Sequence, residues 1–536
     1  MYQTRCHLLT QTVKSLKEDA KLIATTQSIC PTCNAIIPAE LVEVDGKVLM
    51  RKSCPEHGYV EELYFGDADM YRKFSKWAHD GKGIENPNVQ VKEPTCPMDC
   101  GLCSMHLSHT ALANIVVTNR CDLRCWYCFF YSEKAGYVYE PTLEQIEEMI
   151  KILRAERPVP GNSVQLTGGE PCLRDDLPEI VRIIKKYGVD HVQLNTNGIR
   201  LANDFEFFRK VKEAGLSTLY LSFDGVTPET NIKNHWEIPA ILDNARKLNV
   251  GVVLVPTIIK SVNDHELGDI IRFGFKNIDI VRSVNFQPVS LTGLMPKKDR
   301  DKYRITIPDC IHLIEEQTDG QIPVDAWFTV PTCTPVTHFV EALTLKPQYE
   351  LTPHFVCGAG TYVFKDGDRL VPITEFVDIE GLLSYISEKA EEIRQGKSKY
   401  IVGLKLLMKI KSFVNESKMP SGLNLSRILF QIFVKHDYST LGEWHKRSLF
   451  LGMMHFQDKY NYDIERVKRC SIHYLVPDGR IIPFCAFNVL PEIYRDAIQA
   501  KYGIPIPEWE RRTGRKLSQD FYVRKQASVV EGSTQA

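Results

Sequence analysis

The sequence predicts an α/β protein in which a parallel sheet lies between an N-terminal metal-binding module and a C-terminal cysteine-bearing segment. Three observations predict it. Between residue 109 and about residue 290, short apolar runs alternate with stretches of helical period. Polar residues gather where the apolar runs end. The 16 cysteines fall largely into short-spaced groups on either side of this alternation and at its start.

At 536 residues the chain is long enough for two to four domains of roughly 150 residues. Hydrophobic residues make up 43% and charged residues 25%, as in a soluble globular protein. Lys plus Arg is 66 against 67 for Asp plus Glu, so bulk charge gives no reason to expect a nucleic-acid partner. No apolar run reaches about 18 residues, and Met1 is followed by polar and charged residues, so the expected location is cytoplasmic. In that reducing compartment, so many cysteines point to metal rather than to disulfides.

Residues 1–108 read as a separate metal module. Cys30 and Cys33 form a C-x2-C knuckle, and Cys54 follows with His57 close behind. Between them, Leu41 to Met50 reads as a hairpin turning at Asp45-Gly46. Such a ribbon holds zinc or a single iron on tetrahedral sulfur, with His57 or a later cysteine as fourth ligand. Cys96, Cys100 and Cys103 follow with C-x3-C-x2-C spacing. They are assigned to an auxiliary iron–sulfur cluster; zinc is the alternative, and Cys96 could instead complete the ribbon.

The alternating region spans 109–300. Its expected strands are Leu112 to Val117, Ser163 to Leu166, His191 to Leu194, Thr218 to Phe223, Val252 to Val255 and Ile280 to Phe286. Thr142 and Gln145 form a capping box before a helix whose Ile146, Met149, Ile150 and Leu153 share one face. Further helices are expected over 177–187, 205–214, 238–248 and 265–273. Repeated βα units of this length favour a parallel sheet.

Cys121, Cys125 and Cys128 follow the first strand with C-x3-C-x2-C spacing, and Tyr127 precedes the last of them. Three thiolates this close can hold three corners of a [4Fe–4S] cube and leave the fourth iron open to a chelating cofactor. A structural zinc loop is the plainer alternative. The pattern resembles the signature of the radical S-adenosylmethionine (SAM) superfamily. That resemblance implies a partial (β/α)6 barrel of TIM type with its chemistry at the C-terminal strand ends, a [4Fe–4S] cluster, SAM, and cleavage of SAM to a 5′-deoxyadenosyl radical. The segment Leu166 to Pro171 resembles the family's GGE motif, in which Gly168 and Gly169 let backbone approach the ligand and Glu170 accepts from the SAM ammonium. Asn195 and Asn197 suit the carboxylate or ribose. Ser222 and Asp224 resemble the ribose-binding strand end, and Thr257 and Gln287 end the last two strands. Each of these polar residues taken singly is more often a turn or cap; their order along the strands makes the pattern specific.

Beyond residue 300, Cys333, Cys357, Cys470 and Cys485 are assigned to one or two auxiliary [4Fe–4S] clusters, with no partition among them and Cys96, Cys100 and Cys103. The Cys470 to Cys485 hairpin resembles the SPASM-type extension of radical SAM enzymes, so 301–536 is expected to be an auxiliary-cluster and substrate-binding domain. Cys6, Cys172 and Cys310 read as ordinary thiols. Lys397 to Val414 interleaves lysine with apolar residues, and Leu423 to Val434 continues the apolar character. Such a segment suits an anionic membrane surface, a cover over a greasy tunnel, or a core helix with a basic outer face. The tail from Ala527 reads as disordered.

Taken together, CPTC…CPEHG, CPMDCGLC, CDLRCWYC and CGAG…PFCAFN resemble the archaeal tetraether lipid synthase group, formerly grouped with radical SAM C-methylases of pterin cofactors. That resemblance implies an enzyme joining the isoprenoid chain ends of two archaeol-type lipids. It also implies a low-potential electron donor such as a ferredoxin, and a peripheral membrane contact. The alternatives carried with it are a radical SAM C-methyltransferase acting on a pterin and a SPASM-type peptide maturase.

Overall fold

The computed structural model describes residues 20–129, 135–423 and 447–524. Cys6, most of the apolar stretch 423–434 and the tail from Ala527 lie outside them.

The N-terminal module is a four-stranded antiparallel meander of Lys21–Ile29, Ile36–Val44, Lys47–Cys54 and Gly58–Phe65. The expected hairpin turns at Asp45 (φ 50°) and Gly46 (φ 72°), the paired left-handed values of a tight two-residue turn. Helix Ala68–Ser75 follows, its first turn capped by Asp67, which accepts from Met70 N at 2.9 Å.

All six expected barrel strands form and pair in parallel, each beside the next in sequence: Leu112–Thr118, Ser163–Gly168, His191–Thr196, Thr218–Ser222, Gly251–Val255 and Val281–Pro288. The helix Leu143–Ala155 begins at the Thr142 capping box and buries Ile146, Met149, Ile150 and Leu153. Two more strands come from beyond residue 300. Ser448–Met454 adds in parallel beside Val281–Pro288, and Ile472–Leu475 adds in parallel beside Leu112–Thr118. The C-terminal segment therefore extends the sheet at both ends instead of standing apart from it. The hairpin Ile472–Leu475 with Ile481–Pro483 lies where the sequence placed it, and a second forms from Gly358–Asp366 with Arg369–Pro372.

The lysine-interleaved stretch forms helix Lys399–Ile410. Val402 and Leu406 pack with Phe339, Ile386 and Ala390 of neighbouring helices, while Tyr400, Ile401, Leu404 and Met408 are exposed beside the lysines. This is a packed helix with a basic outer face that also carries apolar residues. Among the described residues no helix is long and apolar enough to cross a membrane.

A buried charge cluster locks three parts of the chain together. Arg304, after the sixth barrel strand, lies 2.7 Å by Nε from Glu62 Oε1 of the ribbon and 3.0 Å by Nη1 from Asp458 Oδ2. Only its Nη2, 3.2 Å from Asp458 Oδ1, is aligned as a hydrogen bond, so the contact is chiefly ionic. Burial raises Glu62 overall, whereas at Asp458 the same burial is outweighed by the Arg304 guanidinium and the carboxyl is held below its usual range. The ribbon is also pinned to the C-terminal segment through Asp463, which accepts from Thr26 Oγ1 and Tyr64 Oη at 2.7 Å each. Arg304→Met would leave buried Asp458 without its ion-pair partner and Glu62 with Arg300 alone, 2.9 Å from its Oε2; the expected loss is about 3–5 kcal/mol of unfolding free energy in a denaturant titration. A loss below about 1 kcal/mol would show that the cluster is not a structural lock.

Candidate active site

The cysteine loop is held by backbone before any side chain acts. Gly169 N donates to Thr118 O at 2.9 Å and Glu170 N to Arg120 O at 2.7 Å, which joins the end of the second barrel strand to the entry of the loop. A Cβ at Gly168, where φ is +153°, would stand 2.0 Å from Thr118 O, and one at Gly169 would stand 2.0 Å from Arg120 O. The glycines are therefore required by the protein's own backbone, besides lining the cavity where a ligand's approach is expected. Glu170 likewise has protein partners. Oε1 accepts from Thr196 Oγ1 at 2.6 Å and Cys172 N at 3.0 Å, and Oε2 accepts from Asn197 N at 2.8 Å. It braces the third strand end and retains only part of its accepting capacity for a ligand.

A cavity of about 210 Å³ opens at the C-terminal ends of the strands. Cys121, Cys125, Tyr127, Cys128, Gly168, Gly169, Glu170, Asn195, Asn197, Ser222, Thr257 and Gln287 all line it. Asp224 does not. Its carboxylate sits behind the wall, accepting from Tyr127 Oη and from Thr257 N at 3.0 Å, and pairs with Lys233 Nζ at 3.0 Å. Asn197 is also mostly committed: its Nδ2 donates to Asp122 Oδ1 at 2.6 Å and its Oδ1 accepts from Ile199 N at 2.9 Å. Burial, then the Glu170 charge, pushes Asp122 up to about 7. Burial also raises Cys121, and it pushes Cys125 up to about 11.

Several lining residues escaped the sequence reading. Lys233 is the sharpest case: burial alone would lower it, yet Asp224 holds it well above its usual range, so it stays charged in the cavity wall. It lies in a turn before helix Ile238–Leu248, where no periodic pattern marks it. Tyr220 Oη accepts from the side-chain amides of Asn285 and Gln287. From the first two strands come Asn114 and Gln165, joined by a 2.7 Å amide hydrogen bond. The far wall is aromatic and C-terminal: Phe456 stacks on Phe484 at 4.0 Å between centroids, and Tyr474 stacks on Phe484 at 5.2 Å.

The remaining cysteines fall into separate groups. Cys30, Cys33, Cys54 and His57 have ligand atoms within 4.8 Å of one another, so His57 stands where the fourth ribbon ligand is needed. Cys96, Cys100 and Cys103 line a smaller cavity with His106 instead. Cys357, Cys470 and Cys485 form a third group: burial pushes Cys470 up to about 12, and the charges of Cys485 and Cys357 add to it. Arg466 Nε lies 3.2 Å from Cys357 Sγ, and Gln457 N lies 3.5 Å from Cys485 Sγ. These contacts place Cys333 with neither group; its Sγ donates to Val330 O at 3.1 Å beside helix Thr334–Thr344. Cys172 and Cys310 are buried, as ordinary thiols would be.

A parallel sheet with three cysteines after its first strand and a polar cavity at its C-terminal ends is the arrangement of radical SAM proteins. The Radical SAM superfamily matches residues 115–274, and the HMPTM N-terminal zinc ribbon domain matches residues 22–66. The 7,8-dihydro-6-hydroxymethylpterin dimethyltransferase of Methanocaldococcus jannaschii is 47% identical over 499 residues, covering 91% of this chain and 97% of its own. GTP 3′,8-cyclase of Aquifex aeolicus is 37% identical over 33% of this chain and 56% of its own. Among solved structures, HydG, a maturase of the [FeFe]-hydrogenase, overlaps loosely, with 15% identity over 40% of this chain and 50% of its own and a TM-score of 0.31. The chain belongs to the radical SAM superfamily, in the family that includes the M. jannaschii dimethyltransferase.

A [4Fe–4S] cluster and SAM are the cofactors of that superfamily, and the cavity fits them: three cysteines share its wall with a buried cation and strand-end amides. The four-ligand set of the ribbon fits a metal ion in the same way. The expectation of tetraether lipid synthesis is overturned, because a relative matched over 91% of this chain is a pterin dimethyltransferase. The archaeol-type substrate falls with it. Gly169→Ala should cost about 1–3 kcal/mol or more, because backbone stands where its Cβ must go, and should lower the iron retained after anaerobic reconstitution. Wild-type stability and iron content in that variant would contradict the backbone constraint.

Proposed function

We propose that this protein is a radical SAM C-methyltransferase acting on a pterin. The observation that carries the reading is the 47% identity to a 7,8-dihydro-6-hydroxymethylpterin dimethyltransferase over 91% of this chain and 97% of that protein. The cavity suits a flat, hydrogen-bonding heterocycle. Phe456, Tyr474 and Phe484 offer ring faces on one side, and Asn114, Gln165 and Gln287 offer amide donors and acceptors from the strands.

Cys121, Cys125 and Cys128 would hold the cluster, which, once reduced, supplies the electron that cleaves SAM to a 5′-deoxyadenosyl radical. Lys233 presents a charge suited to the SAM carboxylate, and Asp224 and Tyr127 fix its position. Asn195 and Ser222 face the same space from adjacent strand ends and suit the ribose. Glu170 acts mainly through the strand end that it braces. The two outer cysteine groups, Cys96 with Cys100 and Cys103, and Cys357 with Cys470 and Cys485, would each hold an auxiliary cluster. Cys470 and Cys485 of the second group flank the hairpin Ile472–Leu475 with Ile481–Pro483, and Cys485 directly follows Phe484 of the aromatic wall. A low-potential donor such as a ferredoxin would supply the electrons.

Reconstituted protein given SAM as radical source, dithionite, 6-hydroxymethyl-7,8-dihydropterin and a one-carbon donor (a second, methyl-labelled SAM or a methylene-carrying reduced pterin, in separate arms) should form 5′-deoxyadenosine and a methylated pterin, both read by mass spectrometry. Replacing Cys121, Cys125 and Cys128 together by alanine should abolish both products and spare the ribbon metal. Deoxyadenosine formed without any methylated pterin in either donor arm would sink the substrate assignment and leave the radical chemistry standing. Lys233→Met should weaken SAM binding by about tenfold or more, the loss expected for a charged hydrogen bond; unchanged affinity would remove Lys233 from the SAM site.

A further inference from the structure

Outside the cysteine sites, the described residues bring together three side chains of metal-ligand type: His79, His338 and Glu350. Their ligand atoms all lie within 4.8 Å of one another. They come from three stretches of chain. His79 follows the helix after the ribbon, His338 sits on helix Thr334–Thr344, and Glu350 lies in the loop beyond it. His338 Nε2 is 3.1 Å from Glu350 Oε1, and the two imidazole rings are 5.0 Å apart at 64° to each other.

The carboxylate is held firmly. Glu350 is 2% exposed, its Oε2 accepts from Lys82 N at 2.8 Å, and its own backbone N donates to His109 Nε2 at 3.1 Å. Ligands about 2.0–2.1 Å from a tetrahedral ion stand roughly 3.3 Å from one another, so side-chain adjustments at His79 and His338 are enough to close the set. Lys82 Nζ lies 3.8 Å from Glu350 Oε1 and is already paired with Glu341, which can keep it when an ion takes the carboxylate. His79 is exposed, which leaves a side of the set open to water. Two imidazoles with one carboxylate suit a borderline ion such as zinc, whereas calcium and magnesium favour all-oxygen sets.

We propose that His79, His338 and Glu350 bind one divalent transition-metal ion, zinc foremost, which ties the linker after the ribbon to the C-terminal helices. The linker leads directly into Cys96, Cys100 and Cys103, so the ion would fix the approach to that group.

The test uses the full chain with its iron restored and its ribbon loaded with zinc, titrated anaerobically with Co2+. One equivalent should bind with visible ligand-field absorption but without the thiolate charge-transfer band that cysteine-bound cobalt would add. His79→Ala, at an exposed position, and Glu350→Gln, which preserves shape, should each weaken this binding by more than about tenfold. Iron and ribbon zinc should stay at wild-type levels in both variants. No cobalt uptake beyond the cysteine sites, or uptake equal to wild type in both variants, would overturn the site and leave an ion pair beside a histidine.

Discussion

The site depends on the backbone junction between the first two barrel strands. Gly168 and Gly169 pass so close to Thr118 and Arg120 that no side chain fits there, and two hydrogen bonds cross the gap. This junction sets where the loop of Cys121, Cys125 and Cys128 leaves the sheet. Glu170 carries the constraint onward, since its carboxylate ties the same point to Thr196 and Asn197 at the next strand end. A carboxylate this deeply buried is tolerated because three donors satisfy it. The motif is thus first a device that holds adjacent strand ends in register, and the cavity is what that register leaves open.

The C-terminal segment completes the chamber. Its strands extend the sheet at both ends, and Phe456, Tyr474 and Phe484 form the wall facing the cysteine loop. The last described residues then strap the loop from outside: Arg120 Nη1 donates to Asp520 Oδ2 at 2.8 Å, Tyr522 N donates to Asp122 O at 3.0 Å, and Arg124 lies 3.8 Å over the Phe521 ring. The ribbon docks on this same segment through Asp463 and is locked by Arg304. Ribbon, barrel and C-terminal segment therefore share buried polar contacts, and a disturbance in one reaches the cavity through the others.

Charge placement separates what the cavity offers a ligand from what it keeps for itself. Asp224, Asn197 and most of Glu170 are spent on protein partners, whereas Lys233, Asn195, Ser222 and Gln287 face the open space. A buried cation with its counter-ion behind it costs less than a lone one and remains available to an anionic ligand. Phe456, Tyr474 and Phe484 line the same cavity as these polar groups, so one chamber can take a charged cofactor and a flat substrate together.

The sequence by itself determined the six barrel strands, the capped helix at Thr142, the Asp45-Gly46 hairpin, the three-cysteine loop and a polar set of strand-end cavity residues from Gly168 to Gln287. These depend on short-range signals: apolar period, turn chemistry and close cysteine spacing. Tertiary structure alone decided the rest. Ser448–Met454 and Ile472–Leu475 join a sheet whose other strands lie up to hundreds of residues away, and no local period encodes which edge they meet. The grouping of Cys357 with Cys470 and Cys485, the choice of His57 over Cys96, the inward position of Lys233 and the retreat of Asp224 behind Tyr127 all follow from that pairing and from how the chain packs around it. The physical reason is the same in each case: spacing along the chain fixes which groups are neighbours in a loop, but only the packed sheet fixes which loops face one another.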